Sequence, residues 1–367
     1  MVPNRIAAVC RDDYAEKSGG DVALLRYYLS LAGAENVVYR RSQVSSAVTS
    51  DSHFLVANVD RHHEFVHTVK EVTAAGGRPL LAPIHHPSSG VRLYNRKAEL
   101  GLQRLVNATL RTPYNVESVR QLIRDRQALL TSTGFGEKSI KEAVASILAH
   151  GVVVLQAASE GFALESEFGV CLRDRSVWVP NPIRFSTQAS RTTYRDIDVI
   201  VAGRIEPRKN QLRIAQHLAN SKLKALFVGG VNERYRSYAR RFFSTVESGS
   251  NLQHLGHASL VDLDDLYLRS RVCVGLSFME VVSLAQLDAV GHGAHLLTTE
   301  HSYTSDYLLD TAAMSPLASK EEFLSRVHGL LRLDNDHAEA EHLQTKFPLA
   351  RSRDLLATAV RMSSEVS

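Results

Sequence analysis

Cysteine is scarce: Cys10, Cys171 and Cys273 are the three in 367 residues, far apart and without a Cys-x-x-Cys pair. With two of them inside expected strands, they read as buried free thiols in a reducing compartment. No apolar run reaches the length of a membrane span. The opening Met1-Val2-Pro3-Asn4-Arg5 does not lead from a charged segment into a long apolar core, so no secretory signal is read there. Internal repeats and low-complexity tracts are absent as well. Charge of one sign is also lacking, since the formal net charge is only +4. That mild excess suits an anionic small molecule or an anionic membrane surface and does not call for nucleic acid. The expected location is the cytoplasm, with the inner face of a membrane as the alternative.

What is present is an ordinary globular composition, 44% hydrophobic and 22% charged, in a chain longer than one core usually supports. Short β-branched runs alternate with longer amphipathic stretches, the pattern of parallel sheets with crossover helices. Strands are expected at 5–10, 36–41, 53–59, 78–84, 128–133, 152–157 and 176–182. A second series is expected at 198–205, 224–230, 251–257, 271–277 and 294–300. The polar, Ser- and Thr-rich stretch between them has no sustained period and reads as a linker. The expectation is α/β: two Rossmann-like doubly wound domains facing across a cleft, 1–185 and 197–349, joined by a linker at 186–196. Ligands of such sheets bind beyond the carboxyl ends of the strands.

Two loops of the second series carry chemistry. Gly203 ends a buried-type strand, and Arg204 and Lys209 follow, five residues apart, with Pro207 stiffening the loop between them. An Arg fork with a Lys point charge neutralises a diphosphate; alone, the same loop also reads as a solvated basic turn. Downstream, Glu280 stands where the apolar strand 272–276 gives out, and Asp288 lies eight residues further on. Leu284, Leu287 and Val290 are spaced for the buried face of a helix beginning near Ser283. Backbone N–H groups free at Ser283 and Leu284 would meet a phosphate, and Asp288 would accept ribose hydroxyls. Against this stands a capping role for Glu280 and a surface role for Asp288.

This half resembles the retaining family-4 glycosyltransferases of the GT-B fold, whose donor domain carries Gly-Arg-x-x-x-x-Lys and then two acids eight positions apart. Gly203, Arg204, Lys209 and Glu280 match, and Asp288 replaces the usual second Glu. Phe227-Val228-Gly229-Gly230 and Leu255-Gly256-His257 are similar to the intervening strand and the nucleobase-side loop. The resemblance implies that Arg204 and Lys209 hold the diphosphate, Glu280 the donor-sugar hydroxyls, and Asp288 the ribose. In the first half, Lys17-Ser18-Gly19-Gly20 resembles the glycine-rich loop near the donor phosphates. Ile84-His85-His86-Pro87 resembles the segment with a histidine beside the transfer site, a structural histidine pair being the alternative. Val179-Pro180-Asn181-Pro182 resembles the hinge. A C-terminal helix at about 350–367 would return to the first domain. The implied activity is sugar transfer from a nucleoside-diphosphate sugar to an acceptor hydroxyl, without cofactor or metal, in glycan or glycoconjugate synthesis. Val281-Val282-Ser283 departs from the family's Gly-Phe-Gly and leaves two alternatives: a silent sugar-nucleotide-binding scaffold, or a sugar-nucleotide epimerase of the same fold.

Other motifs compete. His63-Glu64-Phe65-Val66-His67 is a literal His-Glu-x-x-His, but Lys70 and Thr73 stand where its extended form has Gly and His, and no acid between Glu71 and Glu99 supplies a third ligand. Asp196-Ile197-Asp198 precedes a strand instead of ending one, so it reads as a polar strand entry. Asp262-Leu263-Asp264-Asp265 reads as a helix start favoured by its charge. Gly134-Phe135-Gly136 lacks the third glycine of a dinucleotide fingerprint. Finally, Arg96, Lys97, Arg104, Arg111, Arg120, Arg124 and Arg126 offer either a solvated helix face or peripheral contact with an anionic membrane holding a lipid-linked acceptor. Co-sedimentation with anionic liposomes at low salt is the expected result of the membrane reading. Its absence leaves the solvated face.

Overall fold

The structure is a computed structural model that describes residues 6–10, 20–33, 37–44, 53–97, 112–124, 136–185, 194–334 and 338–365. The chain forms two compact units: Met1–Ser88 with Gly101–Pro182 and Leu349–Ser367, and Ser89–Leu100 with Ile183–Pro348. Both are Rossmann-like α/β units with parallel sheets, as the alternating pattern predicts. The strand expected at 128–133 lies outside the described residues.

In the first unit the described strands are β1 (Ile6–Cys10), β2 (Val38–Arg40), β3 (His53–Ala57), β4 (Arg78–Ala82), β5 (Val152–Leu155) and β6 (Ser176–Trp178). Their order is β2-β1-β3-β4-β5-β6, parallel throughout. All of β1 and β5 is buried, because helices cover both faces of a parallel sheet. Alternate residues serve two cores. Val9, Phe54, Val56, Leu81 and Val153 pack with Val66 and Val69 of the helix His62–Ala74 and with Ile140 and Leu148 of Glu137–His150. Ile6, Ala8, Leu55, Leu80 and Val154 pack with Leu25, Tyr28 and Leu29 of Gly20–Leu31. The C-terminal helix Leu349–Glu365 joins this second core through Leu356, Ala359 and Val360. Its Ser352 hydroxyl and that of Tyr27 both donate to the Pro180 carbonyl.

In the second unit the strands are β7 (Ile197–Ala202), β8 (Ala225–Val228), β9 (Leu252–Leu255), β10 (Ser270–Gly275), β11 (His295–Thr299) and β12 (Ala312–Met314). They lie in the order β12-β11-β10-β7-β8-β9, all parallel. The strand order reverses between β7 and β10, where Ile200 pairs with Cys273. That reversal opens a crevice at the carboxyl ends of these two strands. β12, at the edge of the sheet, is not among the expected strands.

Among the described residues no helix is long and apolar enough to cross a membrane. Cys10 and Cys273 are buried, and burial pushes the Cys273 thiol up to about 12. Cys171 is exposed, which corrects the expectation that all three thiols are buried; it follows the helix Ala158–Phe168 in an irregular segment.

The strands β3 and β4 end earlier than expected, because Asn58 (φ 76°) and Ile84 (φ 51°) turn into the left-handed region. A fully buried carboxylate secures this edge: Glu160 accepts from the backbone N–H of His85 (2.8 Å) and of Gln156 (2.7 Å). Burial raises its pKa to about 7 against those two donors. A carboxyl whose folded pKa exceeds its unfolded value of 4.5 makes the fold less stable as pH rises between the two, and adds no further slope above them. The wild type should therefore lose up to about 3 kcal/mol relative to Glu160→Gln between about pH 5 and pH 8, measured by denaturant unfolding. Parallel stability curves would overturn this assignment.

Candidate functional site

Gly203 leaves β7 at φ 147° and Gly229 leaves β8 at φ 140°, conformations that only glycine adopts without strain. The two backbones touch, and a Cβ on Gly229 would lie 2.3 Å from the Gly203 carbonyl oxygen. The loop after β7 is folded by its own side chains. Gln211 donates to the Arg204 carbonyl at 2.5 Å, and Asn210, itself left-handed at φ 60°, donates to the Pro316 carbonyl at 2.8 Å. Residues Pro207–Lys209 form a single 3-10 turn. That turn directs Arg208 and Lys209 toward the end of β10, while the Arg204 side chain stays 54% exposed and 4.0 Å from Glu206.

The structure brings Lys209 and Glu280 together: the Lys209 ammonium donates to Glu280 Oε2. Arg208 joins them. Its Nη1 donates to the Met279 carbonyl (3.1 Å) and lies 3.5 Å from the same Glu280 oxygen, and its Nη2 is 3.2 Å from Glu206 Oε1. Its own carbonyl accepts from Phe278 N–H (2.8 Å), and Glu206 is held from the other side by Asn232 (2.8 Å). Burial lowers the Lys209 pKa despite the Glu280 charge; for Arg208 burial acts in the same direction, but Glu280 and Glu206 outweigh it and raise the pKa. The motif leaves positions 206 and 208 unspecified, so neither residue was visible from it. The buried Glu-x-Arg next to the expected Lys is the signal that could have found them.

Residues that precede the next helix differ from expectation. Val281 and Val282 are buried, and the Ser283 N–H donates to Thr304 Oγ1 at 3.0 Å. The backbone donor expected to be free at Ser283 is therefore taken, because Thr304 reaches over from the loop after β11. Leu284 opens the helix Leu284–Gly291 and is half-buried, with Leu287 and Val290 facing the core as the spacing predicts. Asp288 is buried on this helix and bound to Arg184. Its Oδ1 accepts from Arg184 N–H (2.9 Å), and its Oδ2 from Nε and Nη2 (both 2.8 Å). Burial raises the Asp288 pKa, and the Arg184 contacts oppose that rise. Gly291 lets the chain pass, since a Cβ there would come 2.4 Å from the Arg184 carbonyl. Sequence reading missed Arg184 altogether. On the far side of β8, Gly256 accepts from Gly229 N–H (3.0 Å), and Gly256 and His257 are both exposed.

In the first unit His85 and His86 share one acid that the sequence reading did not single out. Asp60 Oδ1 meets His85 Nδ1 at 2.7 Å; its Oδ2 meets His86 Nδ1 at 2.7 Å and the His86 N–H at 3.0 Å. Although burial opposes it, the two histidines hold the Asp60 carboxyl well below the usual range. The His85 pKa is raised: burial lowers it, but Asp60 more than offsets this. With Nδ1 bound to Asp60, His85 Nε2 is buried without a hydrogen-bond partner. Gly20 is the exposed first residue of its helix; Gly19 lies outside the described residues, as do Arg104, Arg111 and Arg126.

The rival motifs have structural partners. His63 is buried against Ser118 (2.9 Å), His67 pairs with Glu71 (3.1 Å) and Glu64 with Arg61 (3.2 Å). Asp196 is bound by Arg269 (2.7 Å), and Asp198 accepts from Lys224 N–H (2.9 Å). Asp262 sits at the start of the helix Leu260–Leu268, bonded to its Ser259 cap (2.7 Å). Among the described residues no group of three or more His, Cys, Asp or Glu could hold a metal ion.

No family model matches the chain, and neither does any curated protein. Solved structures do. Sucrose-phosphate synthase from Thermosynechococcus elongatus superposes with a TM-score of 0.68 at 13% identity, covering 99% of this chain and 100% of that one. Anabaena Alr3699/HepE, solved in complex with UDP, gives 0.60 at 12% identity over 98% of both chains. A glycosyltransferase from Rickettsia africae gives 0.57 at 14% identity over 100% and 99%. At such identities the likeness concerns the fold alone, and that fold, over essentially the whole chain, is GT-B.

Proposed function

We propose that this chain is a metal-independent, retaining glycosyltransferase that moves a sugar from a nucleoside diphosphate to an acceptor hydroxyl. The observation that carries this reading is the meeting of Lys209 and Glu280 at the β7–β10 crevice of a GT-B fold, with Arg204 exposed on the same loop beside Glu206. In this reading Arg204 and Lys209 receive the diphosphate, Glu280 orients the sugar through its hydroxyls, and Asp288 lies on the ribose side. The bond from the anomeric carbon to the diphosphate oxygen breaks, and its electron pair leaves with the diphosphate. The acceptor oxygen bonds to the same carbon from the same face, and its proton passes to the departing phosphate. Cations fixed in advance stabilise that developing charge by a few kcal/mol each. His86, steered by Asp60 with His85 behind it, would face the sugar or the acceptor; exclusion of water would limit donor hydrolysis. UDP, the nucleotide named for the Anabaena protein, is the first base to test.

Val281 and Val282, buried where the resembled family has Gly-Phe-Gly, favour a second reading: a protein that binds sugar nucleotides without turning them over. A thermal-shift screen with UDP, ADP and GDP should raise the melting temperature selectively for one of them, since a ligand of the native state stabilises it by mass action. Arg204→Ala and Glu280→Ala should each lower transfer about 100-fold or more with melting curves that stay cooperative. Wild-type rates in both variants would remove the site assignment, and binding without any transfer or hydrolysis would favour the second reading.

A further inference from the structure

The donor-site reading leaves Glu280 with a difficulty. Its carboxylate must meet neutral sugar hydroxyls, yet its Oε2 accepts from Lys209, a cation assigned to the diphosphate. A diphosphate carries about two negative charges and competes with Glu280 for that ammonium. Were Lys209 the sole cation at Glu280, ligand binding would leave a half-buried carboxylate uncompensated, which is costly.

Arg208 meets this difficulty, and we propose that it is a positioning residue for Glu280: it keeps the carboxylate paired and aimed when Lys209 moves to the diphosphate. Three observations support it. Arg208 Nη1 already lies 3.5 Å from the oxygen that Lys209 holds. Its guanidinium is fixed independently of that contact, by Glu206 Oε1 (3.2 Å) and the Met279 carbonyl (3.1 Å), and Glu206 is fixed in turn by Asn232 (2.8 Å). Its main chain is tied to the same loop, because the Arg208 carbonyl accepts from Phe278 N–H (2.8 Å). A planar fork with several fixed acceptors cannot follow a ligand as a lysine on a flexible stem can. Neighbouring cations on one loop thus divide the labour: Lys209 is free to transfer to the ligand, and Arg208 stays.

This inference rests on the donor-site reading, and the experiment separates the two. Binding of UDP, or of whichever diphosphate shifts the wild-type melt most, is measured by calorimetry, and release of that diphosphate from its glucose conjugate gives turnover. In Arg208→Met, kcat should fall about 100-fold, while the diphosphate Kd weakens by about 10-fold, the cost of the carboxylate left unpaired when Lys209 departs, and far less than in Lys209→Met. Arg208→Lys should recover about 10-fold of the lost turnover. Lys209→Met should show the other split, with diphosphate affinity lost. Where Arg208→Met melts too low to assay, Glu206→Gln, which loosens the guanidinium and keeps its charge, should give the same split at smaller size. Affinity lost in Arg208→Met as in Lys209→Met would make Arg208 a phosphate ligand and overturn the proposal, as would unchanged turnover in the folded variants. A wild type that neither binds nor releases any of the three diphosphates overturns the donor-site reading itself.

Discussion

Everything at the candidate site follows from β7 and β10 lying side by side, parallel, with their crossovers leaving in opposite directions. Parallel neighbours bring both carboxyl ends to one place, and the reversal of strand order keeps the two outgoing loops from covering each other. The gap is bridged by charge. Glu206, Arg208, Lys209 and Glu280 form one network across it. Taking such ions from water costs about as much as their attraction returns, so the network is a poor source of stability. It does fix the geometry of the two loops. A hydrophobic bridge of equal volume would hold the loops and leave nothing to meet a ligand.

The same network sets the local charge. Two acids and two cations cancel, and Arg204 at the exposed rim adds one positive charge. In the donor-site reading an anion would therefore meet the accessible Arg204 guanidinium first, with Lys209 available by exchange. Asp288 has a different fate from Glu280, although the two look alike as a spaced pair in sequence. Arg184 occupies both Asp288 oxygens and also lies 2.9 Å from Asp264. Arg184 thus ties the segment entering the second unit to two of its helices, and any ribose contact would share a carboxylate already in use.

Much of this was legible, for identifiable reasons. Strands buried on both faces announce themselves as continuous apolar runs, so β1, β5 and β10 could be expected to within a residue or two, and β7 to within three. Glu280 stands in the loop after β10, and Arg204 and Lys209 in the loop after β7. What stayed hidden depends on partners distant in sequence: Arg184 for Asp288, Asp60 for the two histidines, Thr304 for the Ser283 N–H. No local period encodes a hydrogen bond across 104 residues. Arg208 was hidden for another reason, since a basic residue next to a basic residue in a polar loop looks like solvated charge until Glu206 is seen buried beside it.

Ile84 shows how local preference and tertiary demand can conflict. By composition it continues β4, and its side chain does pack against the core beneath β1 and β5. Its backbone nevertheless turns left-handed, rare for a β-branched residue and a cost of about 1–3 kcal/mol. Glycine would make the turn without strain, as Gly203 and Gly229 do in the second unit, but would give up the packing. The strain is offset just downstream: His85 N–H goes to Glu160 and His86 N–H to Asp60, both ionisable and both held at the strand ends. A turn that directs two consecutive N–H groups onto two acids, and both histidine rings onto one of them, over-determines the position of these rings. Such over-determination is what a strained backbone needs to persist, and it gives the first unit a fixed histidine pair where the sequence alone showed only two adjacent letters.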